Sequence, residues 1–302
     1  MTLADGARTG LSTVAAATLI ICALSSCGSS APSATASNSD TTDGADTNRS
    51  QSRGHQFHIE LDYSMDSTGF FDAPERRKTL QAAAATWAKM IKDDFDTIPA
   101  GTPIKVRNPS KPLEPSLKFN LKKPIDDLRL YVGCSTDDIK LGKAFISAYY
   151  PGTELGTQLK ERFKGDDYQP WAMSMAFHCD KPWFFDQSPE TVDDLPKDRN
   201  DFLSTARHEI GHCLGLLNAA IAKSQVQTIE DAPYFTGKHA VEVFGGPVPL
   251  EADARHIKNG LMSGGTEARM DPSTKKGTRK WPTPVDIAIL KDIGYEIVSL
   301  KP

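Results

Sequence analysis

No stretch of this 302-residue chain is both apolar and long enough to cross a bilayer as a permanent helix. The longest apolar run, Leu11–Leu24, has the length of a signal-peptide core. There is no long basic run and the formal charge is −4, so the composition gives no reason to expect a nucleic-acid partner. Internal repeats are absent. Cysteine is scarce, five in all, and two of these, Cys22 and Cys27, fall in the N-terminal signal. Histidine numbers only seven, so any metal site has few residues to draw on.

The apolar run ends in "LSSCG", Leu24–Gly28. This resembles the lipobox of bacterial lipoproteins, which implies that residues 1–27 are a signal and that Cys27 becomes the lipidated first residue. The basic region before it is weak, Arg8 alone with Asp5 offsetting it, and an ordinary secretory signal is the alternative. Either predicts export, to the cell envelope through the anchor or to the medium. Residues 28–54, mostly Ser, Thr, Ala, Gly and Asp, cannot bury enough apolar surface to offset their chain entropy, and they read as a flexible tether. Cys134, Cys179 and Cys213 would then sit in an oxidising compartment, where three thiols cannot all pair. Cys134 follows the strand-like "LRLYVGC" and Cys179 follows "WAMSMAFHC", so a Cys134–Cys179 bridge is expected.

From His55 to Pro302 the pattern is that of one α+β domain, strands first, then a central helix, a long excursion and a final helix. "QFHIELDY" predicts an opening strand. Asp72 and Glu75 resemble a capping box ahead of a helix whose stripe is Leu80, Ala84, Trp87 and Ile91. Residues 99–124, rich in Pro and Lys, predict a loop with a short strand. "WAMSMAFHC" predicts a half-buried or edge strand, and Thr283, Pro284 and Gly294 bracket a last helix.

The chemistry lies in "HEIGHCLGLLN", residues 208–218. On a helix over 203–217, His208 and His212 fall about 40° apart, so both imidazoles leave one face with Glu209 beside them. Leu203, Ala206, Ile210, Cys213 and Leu217 take the opposite side, which makes Cys213 a core thiol. Two such histidines and a flanking glutamate are the pattern that holds zinc and activates water. Gly215 lets the chain leave the helix with positive φ just after the second histidine.

The stretch resembles the metzincin zinc proteases, whose consensus places a third ligand three residues after the glycine. Here that place holds Asn218, a poor ligand. The leishmanolysin-like branch inserts a long segment before its third histidine, and the chain is similar to that branch and its bacterial secreted relatives. The similarity rests on "TLQAAAATWAKMI", "DFLSTARHEIGHCLG", "FTGKHAVEVFGGPVPLE", "ADARHIKNGLMSGG" and "VDIAILKDIGY". It implies a twisted mixed sheet, a central active-site helix, a smaller C-terminal lobe, an excursion over 218–255, His256 as third ligand, and Met262 as the methionine beneath the metal.

His239 is the rival to His256, and Glu230 or Glu242 would serve a thermolysin-like scheme. Asp253 is placed to orient His256, although a solvated loop carboxylate is the simpler reading. What the resemblance implies is a monomeric endopeptidase with one Zn²⁺, Glu209 as general base and a protein or peptide substrate lying against "WAMSMAFHC". The alternative is a zinc-binding surface lipoprotein on the same scaffold that cleaves nothing.

Overall fold

The computed structural model describes residues 56–137, 139–146, 148–149, 154–165 and 167–298. The signal, the tether and Cys27 lie outside the described residues. Among those described, no helix is long and apolar enough to cross a membrane.

The chain opens with β1 (Ile59–Asp62), a 3₁₀ turn at Phe70–Asp72 and α1 (Pro74–Ala88). It continues through β2 (Pro103–Val106), β3 (Leu117–Asn120), β4 (Leu128–Ser135), β5 (Gly142–Ile146) and β6 (Ala148–Tyr149) to α2 (Glu154–Glu161). Next come β7 (Ala172–His178), β8 (Trp183–Phe184), β9 (Asn200–Asp201) and α3 (Phe202–Cys213), which carries the histidine pair. The rest is α4 (Ala220–Ser224), β10 (Val226–Ile229), β11 (Ala232–Phe235), α5 (Lys238–Phe244), β12 (Val248–Pro249), β13 (Met262–Ser263), β14 (Thr266–Glu267) and α6 (Pro284–Asp292).

The main sheet has the order β1-β4-β7-β5. β1, β4 and β7 run parallel, and β5 pairs antiparallel with β7, Gly142 opposite Phe177 and Ile146 opposite Met173. The fold is therefore α+β with a mixed sheet. Period-two alternation divides the strands between two cores. Leu128, Leu130, Val132 and Cys134 of β4, with Met173, Met175 and Phe177 of β7, face α1 and α3. Tyr131 and Ala172 face a smaller cluster built on Ile104, Val106, Ile125 and Trp171.

Covered on both faces, β7 is an interior strand, not the half-buried or edge strand expected of "WAMSMAFHC". The edge is β5. A disulfide joins Cys134 at the end of β4 to Cys179 just past β7, with Cα atoms 5.3 Å apart. Cys213 is the free buried thiol among the described residues, and burial raises its pKa.

α1 starts one residue later than a capping box at Asp72 and Glu75 would place it. Ala73 is extended ahead of Pro74, as the residue before a proline prefers, and makes no side-chain cap. Asp72 pairs with Arg77 at 3.2 Å instead. The stripe Leu80, Ala84, Trp87 and Ile91 is buried, and Trp87 Nε1 donates to the Arg207 carbonyl at 2.9 Å, bolting α1 to α3. Residues 99–124 hold two paired strands, β2 and β3, where a loop with one strand was expected.

β10, β11 and β12 form a small sheet of their own after the site helix. The expected smaller C-terminal lobe is not a separate core: Phe235, Ala240, Val248, Ile257 and Ile289 join the same apolar cluster as α1 and α3. α6 begins with a reciprocal capping box, Thr283 with Asp286, behind Pro284. Gly294 follows it at φ 110°.

Candidate metal centre

α3 is not an amphipathic surface helix. Every residue from Phe202 to Cys213 is buried, His208, Glu209 and His212 included. Its start is fixed by Asp201, whose carboxylate accepts from Ser204 N at 3.1 Å. The expected helix over 203–217 stops at Cys213. Gly215, at φ 99°, donates to the His212 carbonyl, and Leu216 N donates to the Gly211 carbonyl, both at 3.1 Å. Those two bonds are a Schellman stop, and its αL position suits glycine. The same turn swings the Leu216 carbonyl back to within 3.3 Å of His212 Nδ1.

His208 Nδ1 lies 3.0 Å from the Arg269 carbonyl, and His256 Nδ1 lies 3.0 Å from Asp253 Oδ2. A carbonyl can only accept, so Nδ1 of His208 and of His212 carries the proton and leaves each Nε2 with a bare lone pair. Asp253, read from the sequence as a solvated carboxylate, is the partner that orients the third ring.

The three Nε2 atoms converge. His212 Nε2 stands 3.1 Å from His208 Nε2 and 3.3 Å from His256 Nε2, and one ligand atom from each residue falls within 4.8 Å of the others. Nitrogens about 2.0–2.1 Å from a tetrahedral zinc stand roughly 3.3 Å apart, so these separations fit the edges of such a site. Burial, then the neighbouring imidazole, holds His212 neutral by lowering its pKa to about 3; His208 is depressed chiefly by burial and next by His212. Lone pairs aimed at one point repel unless a cation lies between them, which makes the trio suited to a metal ion.

His256 reaches the pair from the turn 251–256. Glu251 N donates to the His256 carbonyl at 2.9 Å, and Leu250 bridges to buried Ile257. The other candidates stay away. His239 bonds Asp292 at 2.9 Å, Glu230 and Glu242 are exposed, and Asn218 lines the cleft without joining the trio.

Met262 requires a correction. It is 55 % exposed, because β13 turns through Gly264 and Gly265 into β14 and directs Ser263 inward, Met262 outward. Of the methionines after His256, the one packed against the site helix is Met270, fully inaccessible; a Cβ on Gly211 would lie 2.6 Å from its Sδ. Asp286 holds this segment. Its two oxygens accept from Arg269 N at 2.8 Å and Met270 N at 3.0 Å, so the α6 cap also fixes the carbonyl that orients His208.

Glu209 leans against β5. A Cβ on Gly142 would lie 2.7 Å from Glu209 Cγ and 2.8 Å from Oε1, so this strand position has room only for glycine. Burial raises the Glu209 pKa to about 8, against the lowering pull of the Arg269 guanidinium, the Ala144 N–H and Lys143. The trio and Glu209 open on a cleft of about 920 Å³, walled by Leu141–Ala144 on one side and Asp271–Thr274 on the other.

Gly142, Arg269, Met270 and Asp286 were not singled out from sequence. Asp286 alone left a signal there, three residues after the Thr283 cap. Compared with protein-family models, with curated proteins and with solved structures, the chain matches none. What the site does has to be read from its own atoms.

Proposed function

We propose that this chain is a zinc-dependent endopeptidase of metzincin type, exported and held to the cell envelope through Cys27. The observation that carries the proposal is the convergence of three Nε2 atoms, from His208, His212 and His256, beside a buried carboxylate at the edge of a sheet. Three protein nitrogens with no fourth His or Cys ligand among the described residues make a set that keeps an open coordination position, as hydrolytic zinc sites do.

His208, His212 and His256 would hold the ion, with Arg269 O, Leu216 O and Asp253 fixing the rings. A bound zinc ion supplies Lewis acidity, polarising a carbonyl and bringing the pKa of water to about 7. Glu209, buried and braced by β5, takes a proton from the attacking water and returns it to the leaving amine. β5 offers its outer edge to the cleft, so an extended peptide can add to the sheet there through main-chain hydrogen bonds. This moves the substrate strand from "WAMSMAFHC" to Gly142–Ile146.

The test is zinc content with peptide cleavage. Wild type should carry about one zinc per chain and cleave a quenched peptide, and a chelator should abolish cleavage. His256→Ala should lose the metal. Glu209→Gln should keep the metal and lose about 10²–10⁴ in turnover. Cleavage undiminished in Glu209→Gln would refute the assignment. Zinc without any cleavage in wild type would favour the non-proteolytic lipoprotein.

A further inference from the structure

One charged surface has no part in that mechanism. Residues 103–124 hold six basic side chains, Lys105, Arg107, Lys111, Lys118, Lys122 and Lys123, against the single acid Glu114, in a chain whose formal charge is −4. The fold gathers this excess on one hairpin.

β2 and β3 pair antiparallel with Lys105 directly opposite Lys118, so the two ammonium groups share one face. The other direct neighbour of Lys105 is Ala148 of β6, and neither neighbour is acidic. The reverse face is apolar. Ile104 and Val106 are buried in the smaller core, with Phe119 packed against it. The hairpin is thus fixed to the domain on one side and cationic on the other, where Lys105, Lys118, Lys122 and Lys123 are all exposed.

The connecting loop adds a second chemistry. Leu113 in mid-loop is 75 % exposed, and Leu117, where β3 starts, is 41 % exposed. The loop is well fastened. Arg107 Nη1 donates to the carbonyls of Pro112 at 3.2 Å and Glu114 at 3.0 Å. Lys111 Nζ meets the Glu114 carboxylate at 3.1 Å, which offsets the one acid. At the root, Ser110 Oγ accepts from Ser67 N at 3.2 Å. Leu113 is held outward between Pro112 and Pro115.

Lysines on an edge strand such as β3 can simply guard it against pairing with another sheet. That role has no place for two exposed leucines among them. Cations around an outward leucine match the boundary of an anionic bilayer, ammonium groups against headgroup phosphates and the leucine against the acyl edge. A single-stranded nucleic acid would call for stacking platforms, and no aromatic ring of this segment is among the exposed large side chains.

We propose that the β2–β3 hairpin docks on a membrane surface rich in anionic lipid, with Lys105, Lys118, Lys122 and Lys123 on headgroup phosphates and Leu113 in the interface. This rests on the anchored reading only in putting a membrane within reach. An anchor at Cys27 would hold the domain near the bilayer without orienting it; the hairpin supplies the orientation.

The experiment is sedimentation with vesicles of phosphatidylcholine alone and of a two-to-one mixture with phosphatidylglycerol. The full chain carries Cys27→Ser, so no acyl group contributes and the signal segment is common to every sample. This parent should bind the mixed vesicles far better than the neutral ones, and high salt should remove the difference. Each lysine at an anionic surface is worth about fivefold in partitioning, so Lys105→Gln, Lys118→Gln and Lys122→Gln together should lose about 100-fold on mixed vesicles. Leu113→Ala should lose about tenfold. Lys275→Gln with Lys276→Gln, exposed elsewhere, should bind as the parent does.

A triple variant that binds like the parent would overturn the proposal. So would an equal loss per lysine at Lys275 and Lys276, since net charge alone would then explain the binding. Lysine-dependent binding that ignores Leu113→Ala and is equalled on soluble polyphosphate would assign a soluble polyanion in place of a membrane. Labelled palmitate incorporated into wild type and not into Cys27→Ser tests the anchor by itself. Vesicle docking without that incorporation would sink the anchor and leave the hairpin standing.

Discussion

At the scale of single residues, the site depends on what is absent as much as on what is present. Gly142 is an ordinary-looking strand residue, yet a methyl group there would lie 2.8 Å from Glu209 Oε1. Gly142→Ala should therefore push the carboxylate off its position while leaving the three imidazoles untouched. A displacement near 1 Å at a catalytic group costs about 10²-fold. The expected outcome is a variant with full zinc content and a kcat about a hundredfold lower, measured by metal analysis and a peptide assay. Unchanged turnover would show that Glu209 has no need of the β5 wall.

At the scale of elements, the stop of α3 links folding to the setting of the His212 ring. Gly215 sits at φ 99°, a conformation costing L-residues about 1–2 kcal/mol, and an added Cβ would lie 2.5 Å from Tyr168 Cε1. Strain and overpacking together make Gly215→Ala about 2–4 kcal/mol less stable. The Leu216 carbonyl would also shift from His212 Nδ1, so zinc affinity should fall along with the denaturant midpoint. An unmoved midpoint would mean that the turn relaxes around the methyl group.

The glycine exit was legible in sequence because it is local, His212 and Gly215 lying within one window, although the periodic pattern extends to 217 and the helix ends at Cys213. The histidine pair on α3 was legible for the same reason. Three other features were not. Met262 and Met270 both follow His256, and only the tight Gly264–Gly265 turn, which exposes one, and Asp286, which draws in the other, separate them. β7 alternates large and small side chains as an edge strand would, but its small residues, Ala172, Ser174 and Ala176, are all buried, and Ala172 joins a second packed cluster. That Arg269 donates to Thr274 and not to a carboxylate depends on Lys280 and Arg279 having taken Asp271 and Asp201, a competition settled only in three dimensions.

At the scale of the whole molecule, the C-terminal segment closes back on the residues that follow the first helix. Lys92 N donates to the Glu296 carbonyl at 2.9 Å, Val298 N to the Met90 carbonyl at 2.8 Å, and Glu296 N to Asp93 Oδ2 at 3.0 Å. Asp93 carries a cost in this clasp. Burial above all, with the like charges of Asp167 and Glu296, raises its pKa to about 6 against the help of the Glu296 N–H. The unfolded carboxyl titrates at about 3.9. Between about pH 4 and 6 the folded state thus binds more protons than the unfolded one, so this group's contribution to stability falls as pH rises through that window. Above it the penalty is constant. Because the site is half open to water, the shift is worth about 1 kcal/mol rather than its full two-unit value.

Asp93→Asn keeps an acceptor for Glu296 N and removes the charge. It should melt higher than wild type at pH 7, by a few degrees, and at the same temperature below about pH 4, where Asp93 is protonated in both states. Thermal melts of the two proteins across that range provide the check. A gain at pH 7 that persists undiminished at pH 3.5 would mean the asparagine stabilises the clasp for reasons unrelated to charge.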